Sequence, residues 1–326
     1  MQYIVMDLEW NQSPKGRPMQ DRGLTFEIIE IGALKLNEKM EIIGEFQELV
    51  KPQLYPKIHE IIQEMVRIAP EELAAARTFP EVVKDFFAWC GDDFRFCTWG
   101  TMDLPELQKN MDFYGVENSF PIPLYYYDIQ KLFSICFDDG KSRVSLETAV
   151  EQLELEKKTK FHRAKADCYY TALILELLDW KKAGRLVSVD YHRLPAAREE
   201  EIYLVFPDYS KYVSREFDSK EEALQDKRVA SATCYLCRKA LRKKIKWFSP
   251  NGKNYYCLAQ CPEHGFLQGK IRMKKSDSGK TFAVKTLKLI PAERAALLRV
   301  KQQEVREKRK IKNQERRQRQ KNENEE

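Results

Sequence analysis

YIVMDLEWNQ, Tyr3 to Gln12, is an apolar run of the kind that makes a buried strand, yet it carries two acids two residues apart, Asp7 and Glu9. In an extended chain residues i and i+2 point to the same face. The pair therefore sets two carboxylates side by side, where they repel each other and lose hydration. Two readings are open. Either the strand end has reached solvent, or both acids hold a divalent cation. The rest of the chain has to decide.

Outward from that strand, FEIIEIGALKL (Phe26 to Leu36) and IIGEFQELVKP (Ile42 to Pro52) read as a second and a third, with Asn37 to Met40 as a hairpin turn. HEIIQEMVRI and TFPEVVKDFFAWCG read as helices, the latter with Pro80 in its first turn and Gly91 at its end. FRFCTWG is a fourth strand, and DLPELQKNMDFYG a helix closed by Gly115. YYYDIQKLFSICF, SLETAVEQLEL with Ser145 as its N-cap, and the long AKADCYYTALILELLDW (Ala164 to Trp180) are further helices. These elements predict one α/β domain over residues 1–182. Residues 183–226 are a linker or the start of a second domain, with EEIYLVFP as a candidate strand and SKEEALQDK as a short helix capped by Ser219. Residues 227–290 form a small basic module. Residues 291–326 read as a charged helix without a core face, whose Asn/Glu end is expected to be disordered.

The chain has 326 residues, 43% hydrophobic and 33% charged, with a formal net charge of +6. No segment approaches ~18 uncharged apolar residues, and the start lacks a basic n-region, so neither a membrane span nor a signal peptide is expected and the chain reads as cytoplasmic. The net charge conceals a division. Residues 1–226 carry 28 basic against 41 acidic side chains, whereas residues 227–290 carry 16 against 2. Such asymmetry points to a polyanion partner for the basic part. Docking of the basic module onto the acidic body of the same chain is the competing explanation.

The opening acids have company. Asp103 follows the fourth strand, and His162 and Asp167 stand at the entry to the long helix. Each has a local alternative. Asp103 with Glu106 and Pro105 reads as a capping box; His162 as an ordinary loop histidine; Asp167 as a first-turn acid favoured by the helix dipole. Together they suit two divalent ions ~3.5–4 Å apart that clamp a phosphodiester. Mg²⁺ takes oxygen ligands and keeps several waters, so a few carboxylates suffice. A histidine near neutral pKa can take the proton of an attacking water. Five residues apart, His162 and Asp167 would lie ~140° apart on one helix, so His162 is expected in the loop before it.

Asp7, Glu9, Asp103, His162 and Asp167 together resemble the signature of the DEDDh 3′–5′ exonuclease family. DLEWNQ, IIEIGALKL, IIQEMV, TFPEVVKDFFAW, CTWGTMD and FHRAKADC are similar to its Eri-like exoribonuclease branch, which has KapD-type bacterial relatives. The resemblance covers roughly residues 1–182. It implies an RNase H-like fold, a mixed five-stranded sheet flanked by helices. It implies Mg²⁺ or Mn²⁺ as two ions, with Asp7 bridging them, Glu9 and Asp167 completing the first site and Asp103 holding the second. It implies His162 as general base, the Leu8 and Glu9 backbone as the grip on a terminal 3′-OH, and release of 5′-monophosphates from single-stranded 3′ ends, RNA preferred. Trp10 and Trp99 flank these motifs as base-stacking or packing residues.

Of eight cysteines, Cys90, Cys97, Cys136 and Cys168 are scattered among apolar residues and read as buried side chains. CYLC (Cys234 to Cys237) and CLAQCPEH (Cys257 to His264) resemble the two knuckles of a zinc ribbon. Cys234, Cys237, Cys261 and His264 make the expected tetrahedral Zn²⁺ set, with Cys257 as the alternative to Cys261. Around them RKALRKKIKWF and GKIRMKK interleave cations with Trp247 and Phe248, a pattern that suits phosphates and exposed bases. Two rival readings remain: a 3′–5′ DNA exonuclease, and a non-catalytic RNA- or protein-binding regulator on a nuclease scaffold.

Overall fold

The strand that carries Asp7 and Glu9, β1 (Gln2–Gln12), is central in its sheet. The computed structural model describes residues 1–13, 23–276 and 278–322, and they form two compact units that meet in sequence at Arg193/Leu194. Of the two readings of 183–226, residues from Leu194 on are counted with the second unit. The expected disorder of the Asn/Glu end concerns residues 323–326, which lie outside the described residues.

In the first unit β1 pairs antiparallel with β2 (Phe26–Leu36), and β2 with β3 (Ile42–Leu49). Three helices follow, α1 (Glu60–Val66), α2 (Pro70–Ala75) and α3 (Phe79–Cys90), and then β4 (Phe94–Thr98), parallel to β1. After α4 (Asp103–Phe113) come β5 (Tyr125–Asp128), α5 (Ile129–Phe137), α6 (Leu146–Gln152), α7 (Ala164–Glu176), α8 (Trp180–Ala183) and β6 (Ser188–Val189). The sheet order is β3-β2-β1-β4-β5-β6, a mixed sheet of six strands.

Three expectations need correction. YYYDIQKLFSICF is not one helix: its tyrosines form β5, parallel to β4, and Asp128 caps α5 by accepting from the Lys131 amide. The sheet has six strands rather than five, because Ser188 and Val189 add a short antiparallel edge to β5. The long helix stops at Glu176, and Asp179 starts α8 by accepting from the Lys181 amide.

Strand alternation sorts the core. Ile4, Met6 and Leu8 pack toward α3 and α4, while Val5 packs toward α5, α6 and α7. Asp7 and Glu9 share the parity of Val5 and so face α7. The parallel register with β4 ends at Val5 opposite Cys97, so both acids stand beyond the carboxyl end of β4. That edge is where open α/β sheets offer a crevice to ligands.

The second unit is an antiparallel sheet, larger than the small module expected over 227–290. Its strands are β7 (Ile202–Val205), β8 (Tyr209–Val213), β9 (Lys243–Phe248), β10 (Asn254–Cys261), β11 (Gly265–Lys275) and β12 (Thr281–Ile290), in the order β7-β8-β12-β11-β10-β9. β7 and β8 belong to it because β8 pairs with β12. Two short helices, α9 (Lys220–Gln225) and α10 (Lys227–Ala230), cover one face through Ala223 and Val229. The sequence pattern of α11 (Ala292–Asn322) shows no core face, yet Ala295, Leu298 and Val305 pack on Ile245, Phe248 and Leu258. Their spacing places them on one helical stripe too sparse to stand out among the charges. Among the described residues no helix is long and apolar enough to cross a membrane.

Candidate functional site

Three segments bring the acids together. β1 supplies Asp7 and Glu9, the turn after β4 leads into α4 with Asp103 as its first residue, and α7 supplies Asp167 from its first turn. One carboxylate oxygen each of Asp7, Glu9 and Asp167 lie within 4.8 Å of one another. Asp103 is not in that trio, but it is buried and exerts the strongest of the neighbouring charges on Asp7.

The electrostatics follow from this crowding. Burial, then Asp103, Glu9, Asp167 and Glu30, hold the Asp7 carboxyl well above the usual carboxylate range. Burial, helped by Asp167, Glu30 and Asp103, pushes Glu9 up to about 8. Burial also lifts Asp103 to about 7, although the Asp103 and Leu8 amides hydrogen-bond to it. Asp167 rises to about 6, again through burial, opposed by the His162 amide. That amide donates to Asp167 Oδ2 at 3.2 Å, while Oδ1 is buried with no hydrogen-bond partner. Oxygen donors this close, with one buried lone pair left over, fit a hard divalent cation.

His162 lies in the loop before α7, with an exposed side chain and a left-handed backbone at φ +67°. The capping-box reading of Asp103 fails: no side chain caps α4, whose N-cap is Met102, and Glu106 is instead buried against Lys109 at 2.8 Å. Trp99 packs on Phe133 with its Nε1 buried, and Trp10 packs on Phe26, so both serve the core.

Sequence reasoning missed Glu30 and Arg163. Glu30 is fully buried on β2 directly opposite Glu9. It accepts from Arg163 Nε at 3.1 Å and Nη2 at 3.0 Å, from Gln47 at 2.7 Å and from the Ala164 amide at 3.4 Å. The available signal was an acid at a core-facing position of a strand. Gly32, opposite Asp7, allows the same helix to sit directly on the sheet: a Cβ there would lie 2.4 Å from the Ala164 carbonyl carbon and the Lys165 nitrogen.

In the second unit Cys234, Cys237, Cys261 and His264 converge. Cys234 Sγ and Cys261 Sγ lie 3.6 and 3.5 Å from His264 Nδ1, and Cys237 Sγ lies 3.6 Å from Cys261 Sγ. A tetrahedron with zinc–sulfur bonds of ~2.3 Å has edges of roughly 3.5–3.8 Å, so the donor set fits zinc. Burial opposes ionisation of Cys261, but hydrogen bonds from the His264 ring and the Glu263 and His264 amides outweigh it and bring the thiol down to about 6. Cys257 stands apart on β10, packed over Gly269, its thiol pushed up to about 12 by burial. Trp247 and Phe248 do not offer rings to bases. Trp247 lies over Gly269 and donates Nε1 to the Ala230 carbonyl at 2.8 Å, and Phe248 is buried under α11.

The nuclease domain of 3′hExo, a DEDDh family member, bound to rAMP, is similar in fold: 20% identity, a TM-score of 0.50, covering 58% of this chain and 96% of that one. A structure of 3′-end specific recognition of a histone mRNA stem-loop by 3′-exonuclease matches at 18% identity and a TM-score of 0.48, over 60% of this chain and 72% of that one. E. coli Exonuclease I in complex with a dT13 oligonucleotide matches at 16% identity and 0.43, over 57% and 42%. A search of curated proteins finds no match. The RNase_T family model, described as an exonuclease, matches residues 4–175, which is more than half of the chain and includes Asp7, Glu9, Asp103, His162 and Asp167. This chain belongs to the RNase_T exonuclease family.

Proposed function

We propose that this chain is a metal-dependent 3′–5′ exoribonuclease of the Eri-like branch, which shortens single-stranded 3′ ends and releases nucleoside 5′-monophosphates. The observation that carries the reading is the trio of Asp7, Glu9 and Asp167 within 4.8 Å, beside buried Asp103. Such an arrangement opposes folding when all four are ionised, and a polycation at their centre removes that cost. Mg²⁺ or Mn²⁺, as two ions at Asp7, Glu9, Asp103 and Asp167, would polarise the attacking water and stabilise the leaving oxygen.

The chain's own residues do the rest. The Leu8 and Glu9 backbone, at the point where β1 outruns β4, would hold the terminal 3′-OH. His162, exposed on its loop, would accept the proton of the water as it attacks the scissile phosphorus. Its backbone amide donates to Asp167 Oδ2, which ties the loop of the proposed base to one of the clustered acids. RNA is preferred on the strength of the Eri-like motifs. In the second unit Cys234, Cys237, Cys261 and His264 would hold one structural Zn²⁺.

The test uses purified chain, Mg²⁺ or Mn²⁺, and 5′-labelled single-stranded RNA and DNA of equal sequence, with Asp7→Ala as control. A ladder shortening from the 3′ end on RNA, absent in Asp7→Ala and without added metal, supports the reading. RNA that stays bound and uncut in every metal transfers it to a non-catalytic binding protein. A ladder on DNA alone transfers it to a DNA exonuclease.

A further inference from the structure

The four strands β9, β10, β11 and β12 contain no Asp or Glu. Their registers settle which cations share a face. Lys270 of β11 pairs with Thr286 of β12, and Thr286 with Lys211 of β8. Arg272 lies two residues along β11 from Lys270, and Lys288 of β12 pairs with Gln268 of β11. Cross-strand partners and i,i+2 neighbours point the same way. Lys211, Lys270, Arg272 and Lys288 therefore stand on one face, with Thr286, Gln268, Val284 and Tyr209 among them, and Lys211 is the most buried of the four cations.

The opposite face is closed by the packing of Tyr212, Ile271, Met273 and Ala283 against α9 and α10. On the cationic face α11 packs over β9 and β10 and reaches Phe266 of β11 and Ile290 of β12, leaving Arg272 and Lys288 exposed beyond it. At its border Lys301 sits over the Tyr256 ring at 4.3 Å, and Tyr256 is the cross-strand neighbour of Lys270.

Lysines on edge strands are commonly explained as protection against edge-to-edge pairing. β11 and β12 are central, so that explanation does not apply. Nor does local neutralisation. The ion pairs of this unit fall elsewhere: Arg215 and Arg228 on Glu201, Arg215 on Asp226, Lys239 on Glu263 and Lys280 on Asp218. Among the described residues none engages Lys270, Arg272 or Lys288. Arg272 and Lys288 are exposed. Burial, Arg272 and Lys301 together hold the Lys270 ammonium below its usual range.

We infer that this half-open sheet face, through Lys270, Arg272 and Lys288, binds the phosphate backbone of a single-stranded nucleic acid. Lys270 and Arg272 stand about 6.7 Å apart along the strand, so successive phosphates of an extended strand can meet successive cations. Contacts of these cations to phosphate carry no sequence information, so binding without base preference is expected. The inference deepens the nuclease reading and rests on it, since it assigns a hold on the substrate to the second unit.

The experiment uses the full chain carrying Asp7→Ala, so that oligonucleotide survives, with and without Lys270→Gln, Arg272→Gln and Lys288→Gln together. Binding of a labelled single-stranded RNA 20-mer is followed by anisotropy from 50 to 300 mM salt. Each phosphate contact to a single strand contributes a slope of about −0.7 in log K against log salt. The triple substitution is expected to flatten the slope by about 2 and weaken binding at 50 mM salt at least tenfold. On the wild-type background it should leave turnover of a dinucleotide intact, because that substrate is too short to need the face. Unchanged affinity and slope, with intact melting temperature, overturn the inference, as they would if the face served an acidic polypeptide. Failure of the nuclease reading shows differently: no substrate is cut by the wild type, whatever the triple variant does to binding.

Discussion

Arg163 grips Glu30 with two nitrogens, Nε at 3.1 Å and Nη2 at 3.0 Å, and so ties the start of α7 to the strand that lies beside β1. Glu30 is fully buried, and Arg163 is the residue between His162 and the helix that bears Asp167. The pair thus spans from β2 to the loop of the proposed base. Arg163→Ala leaves a buried carboxylate without its cation, at a cost of about 3 kcal/mol, and frees the His162 loop. The expected outcome is a lower denaturation midpoint and a kcat reduced tenfold or more with KM little changed. Arg163→Lys, which keeps the charge but not the fork, should recover most of the stability and little of the kcat. Denaturant titration and steady-state kinetics check both, and equal recovery of the two quantities by lysine would leave the pair with a merely structural role.

Gly32 presses the same helix onto the sheet. Gly32→Ala would bring a Cβ to 2.4 Å from backbone atoms of α7, which cannot rotate away. Overpacking of this kind costs about 1–3 kcal/mol and displaces Asp167 from Asp7 and Glu9. The expected result is a lower melting temperature and a weakened response of that temperature to Mn²⁺. A variant that melts like the wild type and keeps its Mn²⁺ response contradicts the close approach.

The acidic cluster sets a pH dependence with a definite sign. Glu9 at about 8, Asp103 at about 7 and Asp167 at about 6 are all raised by burial above ordinary carboxylate values. Between pH 4 and 8 the folded chain therefore binds more protons than the unfolded one, and stability falls as pH rises. In protein freed of Mg²⁺ and Mn²⁺ by gel filtration, the melting temperature of the first unit should drop from pH 5 to pH 8.5. Added Mn²⁺ should raise it most at the alkaline end, where the carboxylates are ionised. Calorimetry at stepped pH decides, and a flat metal-free profile would falsify the picture of four crowded acids.

Zinc makes a separable forecast. Cys237→Ser should lower bound zinc from one ion per chain toward none and unfold the second unit's knuckles, because those short turns have little core of their own. Cys257→Ser should keep the zinc, since that thiol packs over Gly269 away from the four donors. Elemental analysis of the two variants distinguishes them, and loss of zinc from both would move Cys257 into the ligand set.

The five positions that carry the proposed chemistry were legible because each rests on local geometry. Asp7 and Glu9 share a face by strand periodicity alone, and Asp103 announces itself as the residue where a strand turns into a helix. His162 and Asp167 are tied by five residues across a helix start, and the cysteine knuckles by two-residue spacings. The trailing helix was legible too, as an element, though its stripe of Ala295, Leu298 and Val305 was hidden among charges.

What the tertiary structure alone decided lies between segments far apart in sequence. Nothing in residues 26–36 says that Glu30 will meet Arg163, 133 positions later, or that Gly32 will receive a helix. The tyrosines of β5 became a strand because β4 offered them a parallel edge, a partner invisible to local propensity. Trp247 turned inward to the Ala230 carbonyl although its basic neighbours suggested an exposed ring. Periodicity fixes the direction of a side chain within its own strand or helix; only packing assigns that direction to core, partner or solvent, because the free energy that chooses among them comes from the neighbours.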